Sequence, residues 1–149
     1  MAKLILLRHL ESQWNKENRF TGWTDVSLSK EGIESAKEVA GKLAGFHIDK
    51  VYTSPLIRNK ETVSLILENL GKKDLPIIID KALDERNYGK LQGLNKDEVK
   101  KQYGEEQFKL WRRSWDQAPP EGESLEDVFD RTIPFFKKCV EKDLAEGKN

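Results

Sequence analysis

Arg8 and His9 stand side by side at the end of the apolar run Leu4-Ile5-Leu6-Leu7, joining a permanent charge to a group that titrates near neutral pH. An arginine offers a planar fork of donors suited to phosphate or carboxylate. A histidine offers a nucleophile or a proton carrier. Arginine recurs at Arg58, within Thr53-Ser54-Pro55-Leu56-Ile57-Arg58, and at Arg112-Arg113, beside Trp111 and Trp115. Bonds from arginine to phosphate are charge-assisted, often bidentate, and roughly twice as strong as neutral ones. The chain has no Walker-type or dinucleotide glycine loop, no Cys/His grouping at metal-ligand spacing and no paired acidic motif for magnesium. The chemistry this pattern supports is phosphoryl transfer on protein groups alone, with histidine as nucleophile and arginines neutralising the charge.

Such residues must be brought together by the elements that carry them. Leu4 to Leu7 reads as a short buried strand of a parallel sheet, with Arg8-His9 at its carboxyl end, where open α/β sheets bind ligands. Asn15 to Asp25 reads as a long polar and aromatic loop. Ser29 is placed to cap a helix bearing Ile33, Ala36, Val39, Ala40 and Leu43, closed by Gly45. Lys50 to Ser54 predicts a second strand, Leu56 to Leu70 a helix stopped by Gly71, and Pro76 to Asp80 a third strand. This alternation predicts a parallel sheet with right-handed crossovers, which sets Arg8 and Arg58 at neighbouring strand ends.

Beyond Leu83 the alternation stops. Asp84 to Gly89 reads as a polar turn, Asn95–Tyr103 and Glu105–Trp115 as short helices, and Pro119 to Gly122 as a loop. Ser124-Leu125-Glu126-Asp127 predicts a capping box for a final helix, in which Pro134 should shift the hydrogen bonding.

Composition narrows the classes further. The 149 residues fit one domain, 37% hydrophobic and 35% charged, a balance that fits a folded rather than a disordered chain. Twenty-six basic residues balance 26 acidic ones, which argues against coating nucleic acid. The single Cys139 excludes an internal disulfide framework, fits a reducing compartment and reads as a small buried apolar residue. His47, just past a helix end, reads as a surface residue. No signal pattern and no apolar run near 18 residues is seen, so a cytoplasmic protein without membrane contact is expected.

Leu7-Arg8-His9-Leu10-Glu11-Ser12-Gln13-Trp14-Asn15 resembles the Arg-His-Gly-Glu-Ser signature of the histidine phosphatase superfamily. Phe20 to Asp25, Leu83 to Gly89, Leu91 to Lys96, Leu110 to Ser114 and Pro119 to Leu125 resemble, in the same order, the cofactor-dependent phosphoglycerate mutases. The resemblance implies an α/β three-layer sandwich, a mostly parallel sheet with helices on both faces, as one domain over residues 1–149 with a lid-like insert at about 83–120. It implies interconversion of 2- and 3-phosphoglycerate in glycolysis and gluconeogenesis, primed by 2,3-bisphosphoglycerate and needing no metal. His9 would be the phosphorylated nucleophile, Arg8 and Arg58 would hold the transferring group, and Glu85 would be the general acid/base. Ser12, Asn15, Thr21, Gly22, Tyr88, Lys96, Arg112 and Arg113 would bind substrate, while Trp14, Trp23, Trp111 and Trp115 pack around the site. A homodimer or tetramer would fit the family.

Two departures carry expectations of their own. Leu10 stands where the family has glycine; it would either crowd the nucleophile or, at negative φ, point away. The family's second histidine, in a His-Gly-Asn segment on a further strand, is expected beyond the last residue. A superfamily phosphatase and an inactive anion-binding module are the alternatives, the basic insert favouring the mutase because it would exclude water.

Overall fold

The computed structural model describes residues 2–149 and is an α/β arrangement of short parallel strands and helices. β1 (Val51–Thr53) pairs in parallel with β2 (Ile77–Ile79), Val51 opposite Ile77 and Thr53 opposite Ile79. Between them runs α3 (Ile57–Leu70), which ends on Gly71 in the left-handed conformation at φ 66°, where a glycine pays no Cβ penalty. α2 (Lys30–Leu43) begins at Ser29, whose hydroxyl accepts from the Gly32 amide, and packs along α3. Side chains alternate across β1. Thr53 lies toward Val63 and Leu67 of α3, whereas Tyr52 meets Phe135 edge-on from the carboxyl-terminal helices. Helices therefore flank β1 on both faces, while Ile77, Ile78 and Ile79 of β2 remain exposed.

The expected first strand does not form. Residues 4–7 make no strand ladder, and Leu4, Leu6 and Leu7 are 47%, 87% and 45% exposed rather than buried. The segment and β1 both line an apolar groove of about 440 Å³, and no backbone hydrogen bond joins them among the described residues. Asn149 bridges the groove, its carbonyl accepting from the amides of Asp49 and Lys50 and its side-chain oxygen from that of Lys3.

A one-turn helix that the sequence did not suggest, α1 (Gln13–Lys16), follows at Ser12. The remaining elements fall where expected: α4 (Lys96–Tyr103) capped by Asn95, α5 (Glu105–Arg113), and α6 (Leu125–Phe135) with the Ser124–Asp127 capping box. Pro134 has no N–H to donate one turn back, and the helix continues as a π-helical stretch, Phe136–Glu141, into α7 (Lys142–Ala145). Cys139 lies on that stretch and is half-buried rather than buried. His47 is exposed and pairs with Asp49 at 2.8 Å.

Two small cores position the rest. Leu10, Leu28 and Ala36, with Val39 and Leu65 against them, knit residue 10 to α2 and α3. Phe20, Leu91, Val99 and Trp111, with Tyr88 and Phe108, form the interior of the 83–120 region. Backbone bonds from Phe20 to Leu94 (3.0 Å), Gly93 to Phe20 (2.8 Å) and Lys96 to Asn18 (2.9 Å) stitch that region to the loop after α1.

Candidate active site

His9 is half-buried, one residue before Leu10, which packs with Leu28 and Ala36. Its Nδ1 lies 2.6 Å from the Leu10 carbonyl oxygen. A carbonyl only accepts, so Nδ1 carries the proton and Nε2 is left with a free lone pair. Burial pushes the imidazole below its ordinary value of 6.5, and the charges of Arg58 and Arg8 push the same way, against the Leu10 carbonyl and the Glu85 carboxylate. The ring is therefore neutral at neutral pH, the form that can attack.

Among the described residues only Asn18 and Glu121 are non-glycine residues at positive φ, so Leu10 keeps an ordinary backbone. Its side chain is 6% exposed and packs in the core with Leu28 and Ala36.

Arg58, in the first turn of α3, is 0% exposed. Its Nη2 donates to the Gly22 carbonyl (2.7 Å) and to Glu85 Oε2 (2.8 Å), and its Nη1 to the Thr24 carbonyl (3.2 Å). Glu85 thus pairs with the buried arginine and not with its neighbour Arg86. Arg58 Nε and Thr21 Oγ1 are buried without a partner among the described residues. Buried donors of this kind are rare and point to an outside acceptor. Gly22 sits at φ 55°, and a Cβ there would stand 2.2 Å from Gln92 Oε1 and 2.9 Å from the Tyr88 amide nitrogen, so the positive φ and the close backbone favour glycine.

The other cations come from the 83–120 region. Burial first, then the charges of Arg112 and Arg8, lower the Lys96 ammonium, against Glu85. Arg8, His9, Arg58, Glu85, Lys96 and Arg112 therefore share one electrostatic neighbourhood. Arg112 lies over the Phe108 ring at 5.3 Å, Lys96 over Phe20 at 5.9 Å, and Tyr88 packs on Phe20 at 4.9 Å. Arg113 is exposed at the end of α5 and joins none of these contacts. Ser12 and Asn15 are engaged with each other: the Ser12 hydroxyl accepts from the Asn15 amide and Asn15 Oδ1 from the Ser12 amide, both at 3.2 Å. Of the tryptophans, Trp23 donates its indole N–H to the Glu85 carbonyl at 2.7 Å. Trp115 is the exception to packing at the site, half-exposed against Phe129 of α6.

Several supporting residues carry no signal in the sequence. Arg131 of α6 donates to the carbonyls of Ala82 (2.9 Å), Asp84 (2.8 Å) and Glu85 (3.1 Å) and pairs with Glu123 at 2.9 Å. Glu123 in turn accepts from the Asn87 amide at 2.8 Å. Together they hold the turn that carries Glu85. Gln92 Oε1 accepts from the Trp23 amide at 2.6 Å, fixing the loop around Gly22. An arginine on an amphipathic helix and a glutamine in a turn look like ordinary surface residues, and only the loop carbonyls they meet distinguish them.

The site thus sets a half-buried histidine among four cations and one carboxylate on an α/β scaffold. The chain belongs to the histidine phosphatase superfamily (branch 1), which it matches over residues 4–147. Among curated relatives it is 52% identical over 148 residues to the 2,3-bisphosphoglycerate-dependent phosphoglycerate mutase of Afipia carboxidovorans, covering 97% of this chain and 71% of that protein. It is 46% identical over 147 residues to the phosphoglycerate mutase of Schizosaccharomyces pombe, covering 97% of this chain and 70% of that protein. Solved structures agree on the fold. The phosphoglycerate mutase of Bacillus anthracis superposes with a TM-score of 0.80 at 26% identity, over 95% of this chain and 69% of that one. A mycobacterial glucosyl-3-phosphoglycerate phosphatase complexed with VO3 superposes with a TM-score of 0.81 at 28% identity, over 91% of this chain and 63% of that one.

Proposed function

We propose that this chain works as a 2,3-bisphosphoglycerate-dependent phosphoglycerate mutase, interconverting 2- and 3-phosphoglycerate through phosphorylated His9. The observation that carries the reading is the neutral imidazole with Nδ1 tied to the Leu10 carbonyl and Nε2 free, set among Arg8, Arg58, Lys96 and Arg112. The unpartnered Arg58 Nε and Thr21 Oγ1 fit the phosphoryl oxygens of a bisphosphate. When bound, 2,3-bisphosphoglycerate supplies the phosphoryl group that primes the site. Arg8 and Arg58 would hold that group and offset the charge that builds on its oxygens, a role that needs no metal. Lys96 and Arg112 would take the far phosphate and carboxylate, with Tyr88, Ser12, Asn15 and Gly22 shaping the site around them, while Arg113 stands outside that set. Glu85, balanced against Arg58, would exchange a proton with the substrate hydroxyl. The 83–120 region, with its own apolar core, would act as a lid that excludes water. The setting would be the cytoplasm, and a second copy of the chain the expected partner.

The test is to incubate the chain with 2,3-bisphosphoglycerate, measure acid-labile phosphate on His9, then add 3-phosphoglycerate. Uptake followed by isomer exchange is expected; no uptake, with His9→Ala indistinguishable from the parent, would overturn the reading. A phosphatase is the second reading, favoured by the likeness to the mycobacterial phosphatase, and would show uptake followed by release of phosphate alone.

A further inference from the structure

The hydrogen bond that aims His9 is made to the carbonyl of the very next residue, so it lasts only while the peptide plane after Leu10 is held still. Three anchors hold it. The Leu10 amide donates to Thr62 Oγ1 at 3.0 Å. The Leu10 side chain is locked among Leu28, Ala36, Val39 and Leu65. The Glu11 carbonyl accepts from the Ser29 amide at 2.9 Å. Thr62 is itself buried, and its hydroxyl proton goes to the Arg58 carbonyl at 2.7 Å, which leaves a lone pair aimed at the Leu10 amide. An unbroken series of bonds therefore runs from the backbone of Arg58, through Thr62 and Leu10, to the ring of His9.

We propose that Thr62 and Leu10 are positioning residues, which fix the tautomer and the aim of His9 relative to Arg58. A histidine's tautomer is set by the bond its other nitrogen makes, and such supporting partners matter nearly as much as the groups they orient. With glycine at position 10 the peptide plane would have to be fixed by the backbone alone; here an apolar side chain fixes it from the core. The role in catalysis rests on the function proposed above, whereas the tautomer does not.

The experiment records 15N imidazole shifts of His9 in the 149-residue chain above pH 7, beside the rate of phosphoryl uptake from 2,3-bisphosphoglycerate. The parent and Thr62→Ser should show the Nδ1–H tautomer alone. Thr62→Val and Leu10→Ala should show a growing Nε2–H population, with uptake slower by about 10- to 100-fold, the range lost when a histidine loses its orienting partner, and half-saturation unchanged. Where Thr62→Val fails to fold, Leu10→Val, which trims one methylene, decides on the same spectrum. A folded Thr62→Val, Leu10→Ala or Leu10→Val that keeps the parent's shifts overturns the proposal, as does a parent with Nε2–H. Should the parent take up no phosphoryl group, the functional reading fails while the spectrum still decides this one.

Discussion

Arg131→Met is the sharpest test of how the Glu85 turn is held. Arg131 and Glu123 are mostly buried, their side chains 21% and 16% exposed. Removing one partner of a buried pair leaves the other charge uncompensated and costs about 3–5 kcal/mol; with this residual exposure the lower end applies. The carbonyls lose less. That of Ala82 keeps the Thr132 hydroxyl at 2.9 Å, and that of Glu85 keeps the Trp23 indole at 2.7 Å. Asp84's carbonyl gives up its bond to Arg131 at 2.8 Å, worth about 1 kcal/mol. The sum is about 4 kcal/mol, which at a slope of about 2 kcal/mol per molar urea lowers the midpoint by about 2 M. Glu123→Gln keeps an acceptor for the Asn87 amide and removes the orphan charge, so Arg131→Met/Glu123→Gln should be more stable than the sum of the single changes by about 1.5–3 kcal/mol. Urea unfolding followed by tryptophan fluorescence measures all four chains. A loss under about 1 kcal/mol for Arg131→Met, or additivity within about 0.5 kcal/mol, would refute the argument.

Four further outcomes are expected. Because the folded chain holds His9 below 6.5, phosphoryl uptake should stay level above that pH and fall at a midpoint on its acid side; a midpoint at or above 6.5 contradicts the burial argument. The same sign governs stability: below 6.5 the unfolded chain takes the proton first, so acid favours unfolding, and His9→Gln should lessen that acid-side loss in urea midpoints. Gly22→Ala must place a Cβ 2.2 Å from Gln92 Oε1 and 2.9 Å from the Tyr88 amide at φ 55°. It should cost roughly 1–2 kcal/mol for the backbone and about 1–3 kcal/mol for the crowding, read from the thermal midpoint; a neutral variant would show that residues 22 and 92 are not tightly apposed. Asp143 is held below its ordinary value of 3.8 by Lys50, the Tyr52 hydroxyl and Lys148. That stability is present above pH 3.8 and lost as pH falls through the lower folded value, so Asp143→Asn should be less stable than the parent near neutrality and flatten the acid limb. Equal acid limbs would remove Asp143 from the account.

What could be read in the sequence was what residues do to their own backbone. Ser29, Asn95 and Ser124 announce helix starts because a short side-chain oxygen satisfies amides two or three residues on. Gly71 announces a stop because its φ of 66° suits glycine. The chain order of strands and helices likewise placed Arg58 in the first turn of α3. What failed was the inference that an apolar run makes a strand. Leu4 to Leu7 has the composition, but a strand is defined by a neighbour within hydrogen-bonding reach, and residues 4–7 pair with none. The site divides in the same way. Arg58 was legible from its place in the first turn of α3, Arg8 and His9 only from their residue types, since no strand forms ahead of them. That Arg58 would bond Glu85, 27 positions away, and that Arg131 would hold the carbonyls of residues 82, 84 and 85, depends on backbone acceptors that every residue carries alike. Leu10 shows the point most sharply. As a residue type it looks like a defect beside a nucleophile. Once its side chain is buried with Leu28 and Ala36 and its amide is bonded to Thr62, the same leucine holds still the carbonyl to which His9 is bound.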